Sequence, residues 1–221
     1  MQCIKDTIKN INIVIGCSIG CSYCYARMNN NRFHTIDDFN KPVFFENKLK
    51  MLDNKRHTAY LLTGQSDLSG WNEEWKDKVF SKMKENKNTQ YIFLTKRPEN
   101  IKLKETPDNG WFGVTVTSSK EKTRIDYLRN NIKAKHYHIT FEPMFDDVGK
   151  LDLSNISWIV IGTETGNKKG KISSKREWVF NIYNQAKEKN IPVFMKEELL
   201  GILKEDEFVQ EFPKEFGGIE W

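Results

Sequence analysis

The stretch HYHITFEPM, His136 to Met144, decides how the chain is read. Successive side chains of a strand point to opposite faces, so Tyr137, Ile139 and Phe141 share one face and His136, His138, Thr140 and Glu142 the other. If the apolar face packs under helices, the second face carries imidazoles, a hydroxyl and a carboxylate into the interior of a curved sheet. The same parity in the neighbouring run turns Thr115 and Thr117 inward and Val114 and Val116 outward. A polar lumen is therefore expected near the ends of these strands.

Outward from this stretch the pattern repeats. The runs INIVI (11–15), AYLLT (59–63), YIFLT (91–95), WFGVTV (111–116), WIVIG (158–162) and PVFM (192–195) are short, branched and aromatic, as buried parallel strands are. Segments of helical character lie between them at 46–53, 73–86, 97–104, 119–130 and 175–189. In the last, Trp178, Ile182 and Ala186 form a stripe at a spacing of four, and Ser174 stands three before Glu177 like a capping box. Such alternation means βα units with right-handed crossovers.

The residues at the strand ends separate an open sheet from a barrel. Polar, ionisable and small residues recur in TGQSD (63–67), TKRP (95–98), TVTSS (115–119), FEPM (141–144), GTETG (162–166) and MKEE (195–198). Many strand ends around one site are a barrel property, whereas an open sheet concentrates them at one switch point. The expected fold is α/β, a partial (βα) barrel of about six or seven parallel strands. One domain is expected over residues 1–221, with 31–45 as an irregular connection and 201–221 as a capping segment.

The 35 Lys and Arg exceed the 30 Asp and Glu by five, a surplus too small to argue for nucleic acid alone. No apolar run reaches the length of a membrane span and the N-terminus lacks a signal-peptide core, so a cytoplasmic protein is expected. Thiols stay reduced there, and three of the four cysteines fall in GCSIGCSYCYA, Gly16 to Ala26. Cys17, Cys21 and Cys24 have the spacing C-x3-C-x2-C, and no second cysteine or histidine pair comes later in the chain to complete a tetrahedral zinc site. Three thiolates on an iron-sulfur cube leave one iron open to a substrate or cofactor, and Gly16 and Gly20 let the backbone turn around a bulky core.

This loop, with Tyr23 just before the third cysteine, resembles the cluster loop of the radical S-adenosylmethionine superfamily. Together with SDLSGWNEEW, FLTKRP, WFGVTV, ITFEPM, LDLSNISWIVIGTETG and PVFMKEE it resembles the short members found in phages and mobile elements, over residues 11 to 198. The resemblance implies a [4Fe-4S] cluster on Cys17, Cys21 and Cys24, with S-adenosylmethionine chelated to the open iron. Reductive cleavage would then give methionine and a 5′-deoxyadenosyl radical that abstracts hydrogen from a substrate. It also implies a reducing donor such as flavodoxin or ferredoxin.

By the same resemblance Tyr23 packs near the adenine, and the turn at Gly64, Gln65 and Ser66 stands where the superfamily often has Gly-Gly-Glu, which it does not match. Thr115, Thr117 and Ser118 come after the fourth strand, where ribose or carboxylate contacts are usual, although Ser118 also suits a helix cap. Glu142 points inward and needs a cationic or hydrogen-bonded partner, for which Lys96, Arg97 and Lys196 are available. Glu164 and Lys196 line the substrate side or are solvated charges; Asp67 orients the cysteine loop or caps a helix; His138 lies deeper, as a satisfied core histidine. Lys168, Lys169, Lys171, Lys175 and Arg176 either attract a phosphate-bearing substrate or nucleic acid or form a solvated basic loop. A partner protein that completes the site is a further possibility. Two other functions fit the loop: an iron-sulfur electron carrier or sensor, with Cys3 closing the coordination shell, and a zinc-stabilised nucleic-acid-binding module.

Overall fold

The computed structural model describes residues 3–54, 58–166 and 170–217. After a single turn, α1 (Ile4–Thr7), come the strands β1 (Ile8–Asn10) and β2 (Val14–Ile15) and the helix α2 (Tyr25–Phe33). The chain continues through β3 (Val43–Phe44), β4 (Ala59–Leu61), α3 (Glu73–Glu85), β5 (Gln90–Thr95) and β6 (Gly110–Thr115). It ends with α4 (Thr123–Asn131), β7 (His136–Phe141), β8 (Ile156–Ile161), α5 (Arg176–Glu188) and β9 (Val193–Met195).

Seven strands form one parallel sheet in the order β1-β4-β5-β6-β7-β8-β9, curled into a half-barrel with helices around it. Neighbours in sequence are neighbours in space, the signature of a barrel winding. The alternation read from the sequence holds. Val114, Val116, Tyr137, Ile139 and Phe141 join the layer shared with α3, α4 and α5, while His138 meets Trp158 across the concave face. There Ile8, Ala59, Ile92, Trp111, Trp158, Val160, Phe194 and Phe216 make a second apolar cluster. Phe212 and Phe216, brought back by the C-terminal segment through the bridge between Phe194 and Gln210, close it from below.

Three expectations are corrected and one helix is added. INIVI is not a barrel strand: β1 lies before it, and Val14 and Ile15 pair antiparallel with Phe44 and Val43. The chain leaves the sheet after Ile11, whose amide still bonds Leu61, and so carries the cysteine loop across the strand ends. The helix expected over 97–104 is one short turn, Pro98–Asn100. Ser174 does not cap α5: its hydroxyl bonds the Met144 carbonyl and its amide the Thr163 hydroxyl. Finally, residues 25–33 of the segment around the cysteine loop form a helix that sequence pattern did not indicate.

Candidate functional site

The concave face has two levels. Its floor is the aromatic cluster around Trp111 and Trp158, and its mouth, at the C-terminal strand ends, gathers Lys96, Thr115, Thr140, Glu142, Glu164 and Lys196. The cysteine loop lies over this mouth, joined to the β4 end by a parallel bridge between Gly16 and Ser66 and by the Gly16 amide donating to the Gln65 carbonyl. Gly16 and Gly20 have φ of 114° and 76°, the left-handed backbone that favours glycine.

The three thiols are partly buried and unbridged. Cys24 caps α2, its sulfur accepting the Arg27 amide at 3.4 Å, while the Arg27 guanidinium donates to the Cys17 carbonyl at 2.7 Å and lies over Phe39. Arg27 thus ties the first and third cysteines together. Burial pushes the Cys17 thiol up; the Ile19 amide opposes this, and Asp67, Cys21 and Cys24 add to it. A bound metal would supply the positive charge that deprotonates such a set. Among the described residues no three His, Cys, Asp or Glu side chains are gathered to hold one ion. A cubane takes its thiolates at separate corners, so three donors spread along one loop fit it by their chemistry.

Tyr23 turns from the loop towards β6 and β7. Its ring meets Phe145 edge-on at 5.6 Å, and Lys96 Nζ stands 5.7 Å from its centroid. Burial first, then Cys21, hold its phenol above the ordinary range. Tyr25, which sequence reasoning missed, donates its hydroxyl to the Gly64 carbonyl at 2.6 Å. At that turn the Gln65 carbonyl accepts Gly16 N, the Ser66 amide bonds the Thr63 carbonyl, and the Ser66 hydroxyl accepts from Trp71. The turn is therefore a brace for the cysteine loop.

Thr115 accepts from Lys96 Nζ at 3.4 Å, and Thr117 donates its hydroxyl to Glu121 at 2.8 Å. Arg124 pairs with Glu121 and bonds the Thr115 carbonyl at 2.7 Å. Ser118 precedes the turn Ser119–Glu121 without a side-chain capping bond. Glu142 finds its cation in Lys196, which also lies 3.8 Å from Glu198. Burial alone would lower the Lys196 pKa, but Glu142 and then Glu198 hold it above the ordinary value. Gly162 makes room for this pair: a Cβ there would stand 3.1 Å from Glu142 Cγ and 3.2 Å from Lys196 Cδ.

Among the described residues, Asp67 neither caps α3, whose cap is Asn72, nor hydrogen-bonds the cysteine loop. It caps the turn at Leu68 through Ser69 and takes the Thr95 hydroxyl at 2.6 Å and the Lys96 amide at 2.8 Å, locking the β4 and β5 ends together. Glu164 is buried and accepts the Ile172 amide at 3.1 Å, so it is no solvated charge. Arg97 is half exposed, 3.9 Å from Glu99, and is not the partner of Glu142. Of the basic run, Lys168 and Lys169 lie outside the described residues, Lys175 stands over Trp178, and Arg176 pairs with Glu207 and stacks on Phe180. Cys3 is apart from the loop, lining a small cavity with Lys5, Phe194 and Lys196.

The chain belongs to the family described as protein of unknown function (DUF5131), whose match covers residues 2–218. No curated protein and no solved structure matches it. This corrects the superfamily resemblance drawn from the sequence: the family found is DUF5131, not the radical S-adenosylmethionine superfamily. The quoted segments are short and the cysteine loop is local, whereas the DUF5131 match runs through nearly the whole chain.

Proposed function

We propose that the chain is an enzyme that holds a [4Fe-4S] cluster on Cys17, Cys21 and Cys24 and reductively cleaves S-adenosylmethionine to abstract hydrogen from a substrate. The observation that carries this is one loop with three thiols laid across the polar mouth of a parallel half-barrel. Cys17, Cys21 and Cys24 would hold the cluster, which would supply the one-electron reduction needed for cofactor cleavage and hydrogen abstraction.

The chain's own residues bind, orient and exclude water. Arg27 and the Gly64–Ser66 turn fix the loop over the strand ends. Tyr23 and Phe145 offer an aromatic wall for the adenine, and Lys96 a cation for the cofactor's carboxylate. Glu142, held by Lys196, offers an acceptor to ribose hydroxyls. Below, the floor of Trp111, Trp158 and Phe194 keeps water from the reacting carbon. Flavodoxin or ferredoxin would deliver the electron, in the reducing cytoplasm where free thiols persist. No helix among the described residues is long and apolar enough to cross a membrane.

The test is anaerobic purification, reconstitution with iron and sulfide, reduction by dithionite, and assay for 5′-deoxyadenosine and methionine. About four irons per chain, cleavage, and loss of both in Cys21→Ala are expected. Tightly bound zinc with no cleavage would overturn the proposal.

A further inference from the structure

Arg27 is a cation without an anion. Of the arginines among the described residues, Arg97, Arg124, Arg129 and Arg176 each pair with a carboxylate, and Arg32 is exposed. Arg27 is partly buried and forms no ion pair among the described residues. Its guanidinium directs one N–H at the Cys17 carbonyl and lies 5.0 Å from the Phe39 ring centroid, while Nε is sealed from solvent with no hydrogen-bond partner among the described residues. A charge taken partly out of water calls for an opposite charge, and a buried N–H for an acceptor.

The chain supplies neither nearby. No Asp or Glu occurs between Asp6 and Asp37. Of the acids that follow, Asp37 is exposed and Asp38 is held by Asn40 and Lys41. Asp67, whose charge is felt at Cys17, is taken up by Ser69, Thr95 and the Lys96 amide. What Arg27 does adjoin is the set of thiols. Its amide donates to Cys24 Sγ at 3.4 Å and its guanidinium reaches the backbone of Cys17 at 2.7 Å, so the cation is anchored at the first and third cysteines at once. Neutral thiols give it no counter-charge. Three thiolates on an iron-sulfur cube do, because that assembly is anionic and becomes more so on reduction.

We propose that Arg27 is the built-in counter-cation of the cluster and raises its reduction potential by stabilising the reduced, more negative form. This rests on the cluster of the proposed function, not on cleavage of S-adenosylmethionine. Arg27 is a positioning residue: its guanidinium bonds a carbonyl rather than a sulfur and acts through its field, held in place by its planar face on Phe39. Net charge around a cluster is one of the levers that set its potential, and groups outside the ligands tune it.

The experiment is a redox titration of the reconstituted full chain, followed by electron paramagnetic resonance with no S-adenosylmethionine added. Arg27→Gln removes the charge and should lower the midpoint: at a fixed potential the ratio of reduced to oxidised cluster should fall about tenfold, which for one electron is about 59 mV. Arg27→Lys keeps the charge and should stay closer to the parent than to Arg27→Gln. A midpoint in Arg27→Gln equal to or above the parent's overturns the proposal. So does an Arg27→Lys midpoint as low as that of Arg27→Gln, since loss of the carbonyl bond and the Phe39 stack would then be the cause. If Arg27→Gln assembles no cluster, iron content decides: about four irons per chain retained by Arg27→Lys uphold the need for a cation, and failure of both variants overturns it. A parent that holds the cluster and shows the Arg27→Gln shift, yet never cleaves S-adenosylmethionine, refutes the enzymatic reading and upholds this one. A parent that binds zinc instead refutes both.

Discussion

The floor and the mouth of the half-barrel are built from the same strands, a few residues apart, and follow opposite rules. On the floor, Trp111 stacks on His136 at 4.3 Å, and Trp158 meets Phe216 edge-on at 5.3 Å and donates its indole N–H to the Glu211 carbonyl. At the mouth, charges are held close without being sealed away, as in the pair of Lys196 and Glu142, whose side chains keep 19% and 30% of their exposure. Burial of aromatic area stabilises the first region. The second keeps its charged groups partly exposed, at some cost in stability.

The strongest way to break that division is at the floor. Trp158→Ala removes a ring that is 1% exposed and strands the Glu211 carbonyl, and truncations of this kind cost about 3–5 kcal/mol. Thermal unfolding should shift down by about 6–20 °C, since each kcal/mol is worth about 2–4 °C in a chain of this size. Iron content at low temperature should stay at the parent level. If the cluster were lost while the fold survived, floor and mouth would not be separable.

A titration probes the layer between them. His138 is buried, donates Nε2–H to the Phe93 carbonyl at 3.1 Å, and has no hydrogen-bond partner for Nδ1 among the described residues. Burial depresses its pKa from 6.5 to about 4, against the carbonyls of Phe93 and Trp111, which raise it. The fold binds the neutral ring, so its contribution is whole above pH 6.5 and is lost as pH falls, when the unfolded chain takes up the proton first. By pH 4 the loss is about 3 kcal/mol, from the roughly 1.4 kcal/mol carried by each pKa unit. Urea midpoints measured across this range should fall in the parent and flatten in His138→Leu; parallel profiles would refute the assignment.

Parity was legible because HYHITFE states it residue by residue, and because every barrel strand here has one face under helices and one in the lumen. Lys196 could be named among three candidate partners of Glu142, with Lys96 and Arg97, since a carboxylate on the inward face requires a cation nearby; the choice among them was not legible. Helix α2 was hidden for the opposite reason. YARMNNNRF has no apolar stripe, and its inward residues are Ala26 and an asparagine held by hydrogen bonds. INIVI misled because apolar composition does not distinguish a barrel strand from a short antiparallel pair burying Ile13, Val14 and Ile15. Tyr25 carries no signal at all in sequence, since its partner is a backbone carbonyl 39 positions away.

A smaller effect is expected from the mouth pair. Glu142→Gln keeps the shape beside Gly162 but leaves Lys196 with Glu198 alone, at 3.8 Å. Loss of a half-buried, charge-assisted hydrogen bond costs about 1–2 kcal/mol. With Glu142 neutral, burial again dominates at Lys196, so its amine should titrate at lower pH and react faster with an acylating reagent. Peptide mass spectrometry reads the reactivity, and the KM for S-adenosylmethionine should rise about tenfold if Glu142 touches the ribose. An unchanged KM with altered Lys196 reactivity would confine the pair to a structural role.

The smallest effect falls on Cys3, and its smallness is the point. This thiol borders the mouth through Lys196 yet lies outside the cysteine loop and its packing cluster. A partly exposed, unbridged cysteine contributes little to stability, so Cys3→Ala should melt within about 0.5 kcal/mol of the parent. The informative readout is the iron. A cube held by three thiolates keeps about four irons per chain without Cys3, and its electron paramagnetic resonance spectrum still changes when S-adenosylmethionine is added. If Cys3→Ala loses iron, or if the parent spectrum ignores the added cofactor, then a fourth ligand closes the cluster. The polar mouth would then serve electron transfer rather than the binding of a substrate.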